Sequence, residues 1–125
     1  MLNHPLRAAV IAGLAACTLA LGLATVAPAA TNAHPLLVGQ TGPGFTITLK
    51  QNGRAVKTLK AGVYTVRVLD KSSIHNFHLT GPGVNKTTSV AKVYTVTWTV
   101  TLKKGTYTFV CDPHKEIMRE SFRVT

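Results

Sequence analysis

Apolar and polar residues alternate over residues 45–49 and 93–102, with the two-residue period of a strand that has one buried face. Other short segments are rich in β-branched and aromatic residues, which also favour strands. Helical periodicity is nearly absent. Trp98 lies in the longest alternating segment and is expected in the core. The pattern predicts six strands, over residues 45–49, 63–69, 74–79, 93–102, 106–111 and 121–125.

Turn signals separate these segments at intervals of about ten residues. Asn52 and Gly53 are the pair that favours a tight hairpin turn. The Thr-Gly-Pro-Gly sequence at residues 80–83 interrupts the chain again. Short strands at this spacing indicate an all-β fold, either a Greek-key β-sandwich or a barrel.

One short motif, Leu-x-x-Gly-x-Tyr, occurs twice. It runs from Leu59 to Tyr64 and again from Leu102 to Tyr107. Such spacing is typical of a corner at which the chain enters a strand and the tyrosine hydroxyl bonds back to the backbone. Two corners of this kind favour a Greek-key sandwich.

The N-terminal segment has a different composition from the rest. Arg7 precedes an uncharged apolar run over residues 8–26, and small residues follow up to Ala33. This order is typical of an export signal, so we predict a cleaved leader at residues 1–33 and a mature domain at residues 34–125. Cleavage after Ala29 and cleavage after Ala33 both fit the small-x-small rule.

Two other interpretations of this segment remain open. The apolar run approaches the length of about 18 residues that can span a bilayer, although no Lys/Arg cluster follows it. Residues 14–17 read Leu-Ala-Ala-Cys and match a lipoprotein signal in which Cys17 would carry the lipid. The residues after Cys17 stay apolar, however, whereas a lipoprotein usually turns polar there.

Removal of the leader leaves Cys111 as the only cysteine of the mature sequence. In an oxidising compartment it has no partner for an intramolecular disulfide. A lone exported thiol is either an unpaired liability or a metal ligand, which raises the expectation of a metal site.

The mature sequence is strongly basic. Thirteen Lys and Arg stand against four Asp and Glu, which gives a net charge of +9. The basic residues are spread along the chain and not clustered in a module, which argues against nucleic-acid binding. We expect a monomer that is not inserted in a membrane after cleavage and that meets partners with acidic docking surfaces.

The stretch at residues 107–118 holds the candidate chemistry. Cys111 ends a predicted strand, Asp-Pro forces a turn, and His114 and Met118 follow within seven residues. A thiolate, an imidazole and a thioether form a soft ligand set that suits copper, and a trigonal site of this type needs a second histidine. His75, on the strand predicted at residues 74–79, offers it.

Other histidines and the methionine have alternative roles. His78 lies three residues after His75, so strand alternation turns it to the opposite face and we expect it not to be a ligand. Met118 could also fill a gap in the core. His34 would become the N-terminus if cleavage followed Ala33, and a terminal histidine can chelate copper, but no further ligands of such a site are found.

Taken together, these residues resemble the type 1 (blue) copper proteins of the plastocyanin/azurin family. The resemblance rests on His75-Asn76 and on the pattern Cys-x-x-His-x-x-x-Met at residues 111–118, and it extends over the mature chain in length and strand order. It implies a cupredoxin-like fold and one copper ion bound by His75, Cys111, His114 and Met118.

The resemblance also implies a role for Asn76, which would join the two ligand loops. Its side chain would bond near Asp112 and its N–H would reach the Cys111 sulfur. The chain departs from the family in two ways. It lacks the acidic patch of plant plastocyanins, so partners do not carry over, and Arg119-Glu120 follow the methionine where a small residue is common.

Two functions fit this pattern. The first is a mobile electron carrier in the periplasm or outside the cell, with an apolar patch around His114 formed by residues 42–44, residues 81–84 and Ile117. The second is a copper-binding or delivery protein in metal homeostasis. We expect no enzyme, because the sequence has neither the His-x-His pairs of multicopper oxidases nor the second mature cysteine of a binuclear site.

Overall fold

The computed structural model describes residues 26–28 and 33–125. The leader predicted at residues 1–33, with both cleavage points and Cys17, lies almost wholly outside the described residues and stays a prediction. In the described part of the chain, no helix is long and apolar enough to cross a membrane.

Residues 33–125 hold ten strands and one turn of 3-10 helix. The strands are β1 (Leu36–Thr41), β2 (Ile47–Gln51), β3 (Arg54–Ala55), β4 (Thr58–Leu59), β5 (Gly62–Asp70), β6 (His78–Gly81), β7 (Val84–Thr87), β8 (Tyr94–Leu102), β9 (Gly105–Val110) and β10 (Arg119–Val124). The 3-10 turn covers Asp112–His114, directly after β9.

The strands form two five-stranded sheets. One has the order β3-β2-β1-β5-β8 and the other the order β4-β10-β9-β6-β7. Only β1–β5 and β4–β10 pair in parallel among these strands, and the other pairs are antiparallel. Neighbours that are distant in sequence require crossovers between the sheets. The predicted all-β Greek-key sandwich is therefore confirmed.

The core lies between the two sheets. On β5 every second side chain from Tyr64 to Asp70 is buried, as the two-residue period of a strand requires. Aromatic rings fill the space opposite, with Phe77 stacked on Phe109 at 5.6 Å between ring centroids. Trp98 is only half-buried, although it packs against this core as predicted, because β8 is an edge strand.

The two tyrosine corners are confirmed. The Tyr64 hydroxyl donates to the carbonyl of Lys60 at 2.8 Å. The Tyr107 hydroxyl accepts from the N–H of Lys103 at 2.9 Å and donates to the carbonyl of Pro82 at 2.7 Å. Each bond fixes the entry of a strand, β5 and β9 respectively.

The strand predicted over residues 74–79 is misplaced. β6 begins only at His78, so His75 lies in the preceding loop. The N–H of Phe77 explains the late start, because it donates to the hydroxyl of Thr88 at 2.8 Å and not to a neighbouring strand. The turn predicted at residues 80–83 is correspondingly shorter, since β6 continues through Gly81.

Strand β1 was not predicted, because its buried positions are not all apolar. They are Leu37, Gly39 and Thr41. Gly39 is required by packing, since a Cβ there would lie 2.9 Å from the ring of Phe77. A glycine at a buried strand position removes the hydrophobic signal on which alternation depends.

Candidate metal centre

Strand pairing brings the two candidate ligand loops to one end of the sandwich. His78 at the start of β6 pairs with Val110 at the end of β9. The loop that carries His75 therefore ends where the loop that begins at Cys111 starts. The two loops are adjacent although 36 residues separate His75 from Cys111.

Three of the four predicted ligands come together in this structure. The Nδ1 atoms of His75 and His114 lie 3.0 Å apart, and they lie 3.6 Å and 3.5 Å respectively from the Sγ atom of Cys111. Both imidazoles thus present the same ring nitrogen to the thiol. Cys111 and His75 are buried, and His114 is half-buried.

This triangle has the size of a metal site. A point equidistant from the three atoms lies about 2.0 Å from each, and metal–nitrogen and metal–sulfur bonds in proteins measure about 2.0–2.3 Å. Two imidazoles and one thiolate are also the donors of a trigonal copper site. The residues present therefore fit a copper ion in both spacing and chemistry.

Met118 lies in the same loop, with its side chain buried. Its carbonyl accepts from the N–H of Cys111 at 3.0 Å, and its N–H donates to the carbonyl of His114 at 2.9 Å. These bonds close residues 111–118 into a compact loop that begins with the 3-10 turn. Pro113 suits that turn because a proline costs no hydrogen bond in a first helical turn.

Asn76 joins the two loops, as the family resemblance implies. Its side-chain oxygen accepts from the N–H of Asp112 at 2.8 Å, and its Nδ2 donates to the Asp112 carboxylate at 2.7 Å. Nδ2 also donates to the hydroxyl of Thr87 at 3.0 Å. The bond from the Asn76 N–H to the Cys111 sulfur stays a prediction.

His78 lies outside the ligand cluster, within a separate polar network. One ring nitrogen contacts the Asp112 carboxylate at 2.9 Å, and the other contacts Oδ1 of Asn85 at 2.7 Å. Burial would lower the pKa of His78, but the hydrogen bonds to Asp112 and Asn85 outweigh it and raise the pKa above 6.5. Burial would raise the pKa of Asp112, but hydrogen bonds from Asn76 and His78 and nearby positive charge lower it.

A buried carboxyl group supports the loop that carries His75. Asp70 accepts from the hydroxyl of Thr88 at 2.6 Å and from the N–H of Ser72 at 3.3 Å. Burial raises the pKa of Asp70, with partial offset by these bonds and by His75. Thr88 thus links Asp70 to Phe77 and anchors both ends of this loop, a role that nothing in its sequence context indicated.

Phe45 is a site residue that the sequence interpretation missed. The pattern placed it in a strand, whereas it lies in the loop before β2 with 57% of its surface exposed. Its ring meets His75 edge-on at 5.4 Å and His114 edge-on at 5.0 Å between centroids. The sequence feature that could have indicated its role is its position directly after the Gly-Pro-Gly loop at residues 42–44.

Only part of the predicted apolar patch lies near His114. Ile117 is 67% exposed in the ligand loop, and Pro43 and Gly44 are exposed directly before Phe45. Phe45 and Ile74, which the prediction did not include, are exposed beside the histidines. Residues 81–84 are wrongly assigned to the patch. Pro82 lies against Tyr107 and Gly105 at the start of β9, roughly 20 Å of strand away from Cys111. Antiparallel pairing of β6 with β9 carries this turn to the opposite end.

Comparison with known proteins gives fold relatives only. No family model matches the chain, and no curated protein sequence matches it. A structure of reduced rusticyanin is 20% identical, with a TM-score of 0.52 over 72% of this chain and 78% of that one. Rusticyanin from Thiobacillus ferrooxidans is 21% identical, with a TM-score of 0.51 over 72% of this chain and 76% of that one.

A rusticyanin variant with a methionine replaced by glutamine gives the same result. It is 20% identical and has a TM-score of 0.54, over 72% of this chain and 76% of that one. Rusticyanin is a copper protein. At this level of identity the likeness concerns the fold, and the fold is that of a cupredoxin.

Proposed function

We propose that this chain is a blue, type 1 copper protein that acts as a mobile electron carrier. Its ligands would be His75, Cys111, His114 and Met118. The observation that carries the proposal is the triangle of two Nδ1 atoms and one Sγ atom, with sides of 3.0–3.6 Å, at one end of a cupredoxin fold.

The chain's own residues would hold the site rigid and dry. Copper bound there would supply one-electron exchange between its +1 and +2 states. Asn76 ties the two ligand loops together, and the backbone bonds of Met118 fix the loop that carries Cys111, His114 and Met118 itself. Burial of Cys111 and His75 excludes water from most of the donor set.

His114 would connect the site to the surface. It is the half-exposed member of the triangle, and Phe45 packs against its ring. With Ile74 and Ile117 these residues form an apolar surface at the metal end, which suits brief contact with a redox partner. We infer a partner with an acidic docking surface, because the net charge of the mature sequence is +9.

We also infer that the protein is exported to the periplasm or the outside of the cell. The motivation is the leader-like composition of residues 1–33 together with a single mature cysteine. Intact mass of the exported protein should correspond to a start at Ala30 or His34. A start at Met1, or a lipid on Cys17, would contradict this.

The visible spectrum of copper-loaded, oxidised protein tests the function. We expect an intense thiolate-to-Cu(II) charge-transfer band, because the Cys111 sulfur would bond the metal directly. The band should vanish in Cys111→Ser, which keeps the size of the side chain but removes the sulfur. A colourless Cu(II) protein, or colour that survives the substitution, would favour a copper-delivery role with other ligands.

A further inference from the structure

Strand β8 is an unusual edge strand. It lies at the end of the sheet order β3-β2-β1-β5-β8 and pairs with β5 on one side only. Its nine residues contain no charge, no proline and no glycine. In the described part of the chain, no backbone hydrogen bond joins its outer side to another element.

Long edge strands of this kind are usually protected. Proteins place lysines, prolines or bulges on such edges, because a row of unpaired backbone groups attracts another strand. This chain has thirteen basic residues after residue 33, yet none falls between Lys92 and Lys103. The edge is therefore left uncharged within an otherwise strongly basic protein.

The sequence of β8 is symmetric about its centre. Reading outward from Trp98, both directions give Thr, Val and Thr, and the ends are Tyr94 and Leu102. When two copies of a strand pair antiparallel across a two-fold axis, each residue faces its mirror position. With the axis at Trp98, threonine faces threonine and valine faces valine between Thr95 and Thr101, and only the end pair, Tyr94 with Leu102, is unlike.

We propose that β8 pairs antiparallel with β8 of a second copy of this chain, across a two-fold axis at Trp98. Thr97 then lies opposite the partner's Thr99, and Val96 opposite the partner's Val100. Pairs of β-branched residues and threonines directly opposite each other stabilise antiparallel sheets. The result is one continuous ten-stranded sheet shared by two copies.

The exposure of β8 agrees with this arrangement. Its four threonines are exposed on the outer face of the sheet, while Tyr94, Val96 and Trp98 on the inner face are only half-buried. A partner strand would cover the exposed remainder of these three side chains. The exposed edge of β8 therefore favours a dimer over the monomer expected from the sequence.

The assembly closes at two copies. The other edge of the same sheet is β3, which has two residues, and the edges of the second sheet are β4, with two, and β7, with four. Lys86 lies within β7 and protects it. No other edge in the described part of the chain is long enough to continue the sheet.

Dimerisation leaves both metal centres accessible. Tyr94 pairs with Asp70 at the metal end of β5, and Leu102 pairs with Gly62 at the other end. Antiparallel pairing therefore places the two metal centres at opposite ends of the dimer. It also brings Lys92 opposite the partner's Lys104, so salt should strengthen the dimer by screening this repulsion.

Charge substitutions at Thr97 and Thr99 test the proposal, because both side chains are exposed on the outer face of the sheet. In Thr97→Glu/Thr99→Glu and in Thr97→Lys/Thr99→Lys, like charges face each other and each variant should be monomeric. In Thr97→Glu/Thr99→Lys, opposite charges face each other and the dimer should persist. Glutamate is placed at position 97 because Arg67 of β5 lies beside it.

Sedimentation of the copper-loaded protein over a concentration and salt series gives the readout. We expect wild type to dimerise with rising concentration and more strongly with salt. An equimolar mixture of the two like-charge variants should dimerise again, which separates pairing from net charge. Fluorescence of Trp98, the only tryptophan, should shift to shorter wavelength as the dimer forms.

Three results would overturn the proposal. The first is a wild type that stays monomeric at millimolar concentration and high salt. The second is a dimer that all three variants leave intact, which would place the interface elsewhere. The third is growth into larger species, which a closed two-fold interface does not allow. Circular dichroism of each variant confirms that loss of the dimer does not reflect unfolding.

Discussion

His75 and His78 are three positions apart, but their side chains contact different groups. The Nδ1 atom of His75 lies 3.6 Å from the Cys111 sulfur, whereas both ring nitrogens of His78 contact other polar side chains, Asp112 and Asn85. We expect His75→Ala to abolish the visible band of the copper-loaded protein. His78→Ala should retain it. Equal loss in both variants would mean that His78 belongs to the ligand set.

The same His78→Ala variant should show a pH-dependent loss of stability. The pKa of His78 is raised in the folded protein above its ordinary 6.5, so its contribution is complete below about pH 6.5 and disappears as pH rises through the folded value. Asp112, with a lowered pKa, stays ionised over this range.

The expected cost is about 0.5–1 kcal/mol near pH 5.5 and smaller near pH 9, since Asp112 is half-exposed and solvent screens the pair. Urea unfolding of the copper-free protein at both pH values measures it. A cost that is the same at both values, or larger at high pH, would show that His78 acts through packing alone.

Single residues also show what the sequence could and could not predict about the site. His75, Cys111 and His114 were predicted because each has a chemically distinctive side chain and two of them share one short loop. Phe45 and Thr88 were not, because their roles depend on contacts made only after folding. Phe45 reaches His114 across 69 positions of sequence, and an ordinary alternation pattern hides it.

Among the structural elements, the two tyrosine corners differ in the number of backbone groups that the tyrosine hydroxyl bonds. The hydroxyl of Tyr107 is fully buried with its ring and bonds two backbone groups, of Lys103 and Pro82, whereas that of Tyr64 bonds only Lys60. Tyr107→Phe leaves two backbone groups without a partner. We therefore expect it to cost about 2–3 kcal/mol, against about 1 kcal/mol for Tyr64→Phe.

Chemical denaturation of both variants gives the comparison. The two substitutions remove the same atom from related motifs, so each serves as the control for the other. An equal loss of unfolding free energy in the two variants would imply that a water molecule replaces the Tyr107 hydroxyl as the partner of Lys103 and Pro82. The copper spectrum should be unchanged in both, because each corner lies at the end of its strand farthest from the metal centre.

Three strands were predicted best. β5, β8 and β9 agree with the sequence pattern to within one or two residues, because β-branched and aromatic side chains dominate them. The strand prediction fails at His75 and Asn76. Their side chains contact residues of the other ligand loop, and their backbone is not paired with a neighbouring strand. Sequence alternation cannot distinguish a strand from a loop whose polar residues are recruited by a site.

The whole molecule combines a basic surface with an apolar end. Phe45, Ile74 and Ile117 lie exposed around the half-exposed His114, while the basic residues are spread over strands and loops on all parts of the sandwich. The basic residues would thus attract a partner over long range, and the apolar residues at the metal end would make the direct contact with it. Charge should govern the rate of encounter, and the apolar end should govern the final contact.

Ionic strength separates these two contributions. With a net charge of +9 after residue 33, electron transfer to an anionic partner should slow as salt is added, since charges are screened beyond about 8–10 Å near physiological ionic strength. Transfer to a cationic partner should accelerate. Stopped-flow rates with one anionic and one cationic small redox complex across a salt series measure both, with the protein kept dilute so that it stays monomeric.

Substitution at the apolar end provides the matched control. Ile117→Ser removes an exposed apolar side chain without changing charge, so the rate should fall at every salt concentration while its salt dependence stays the same. Lys115→Ser, two positions away, should instead weaken the salt dependence. If both rate profiles of the wild type are flat, charge does not guide the encounter, and the basic surface serves solubility or adhesion in a protein that handles copper.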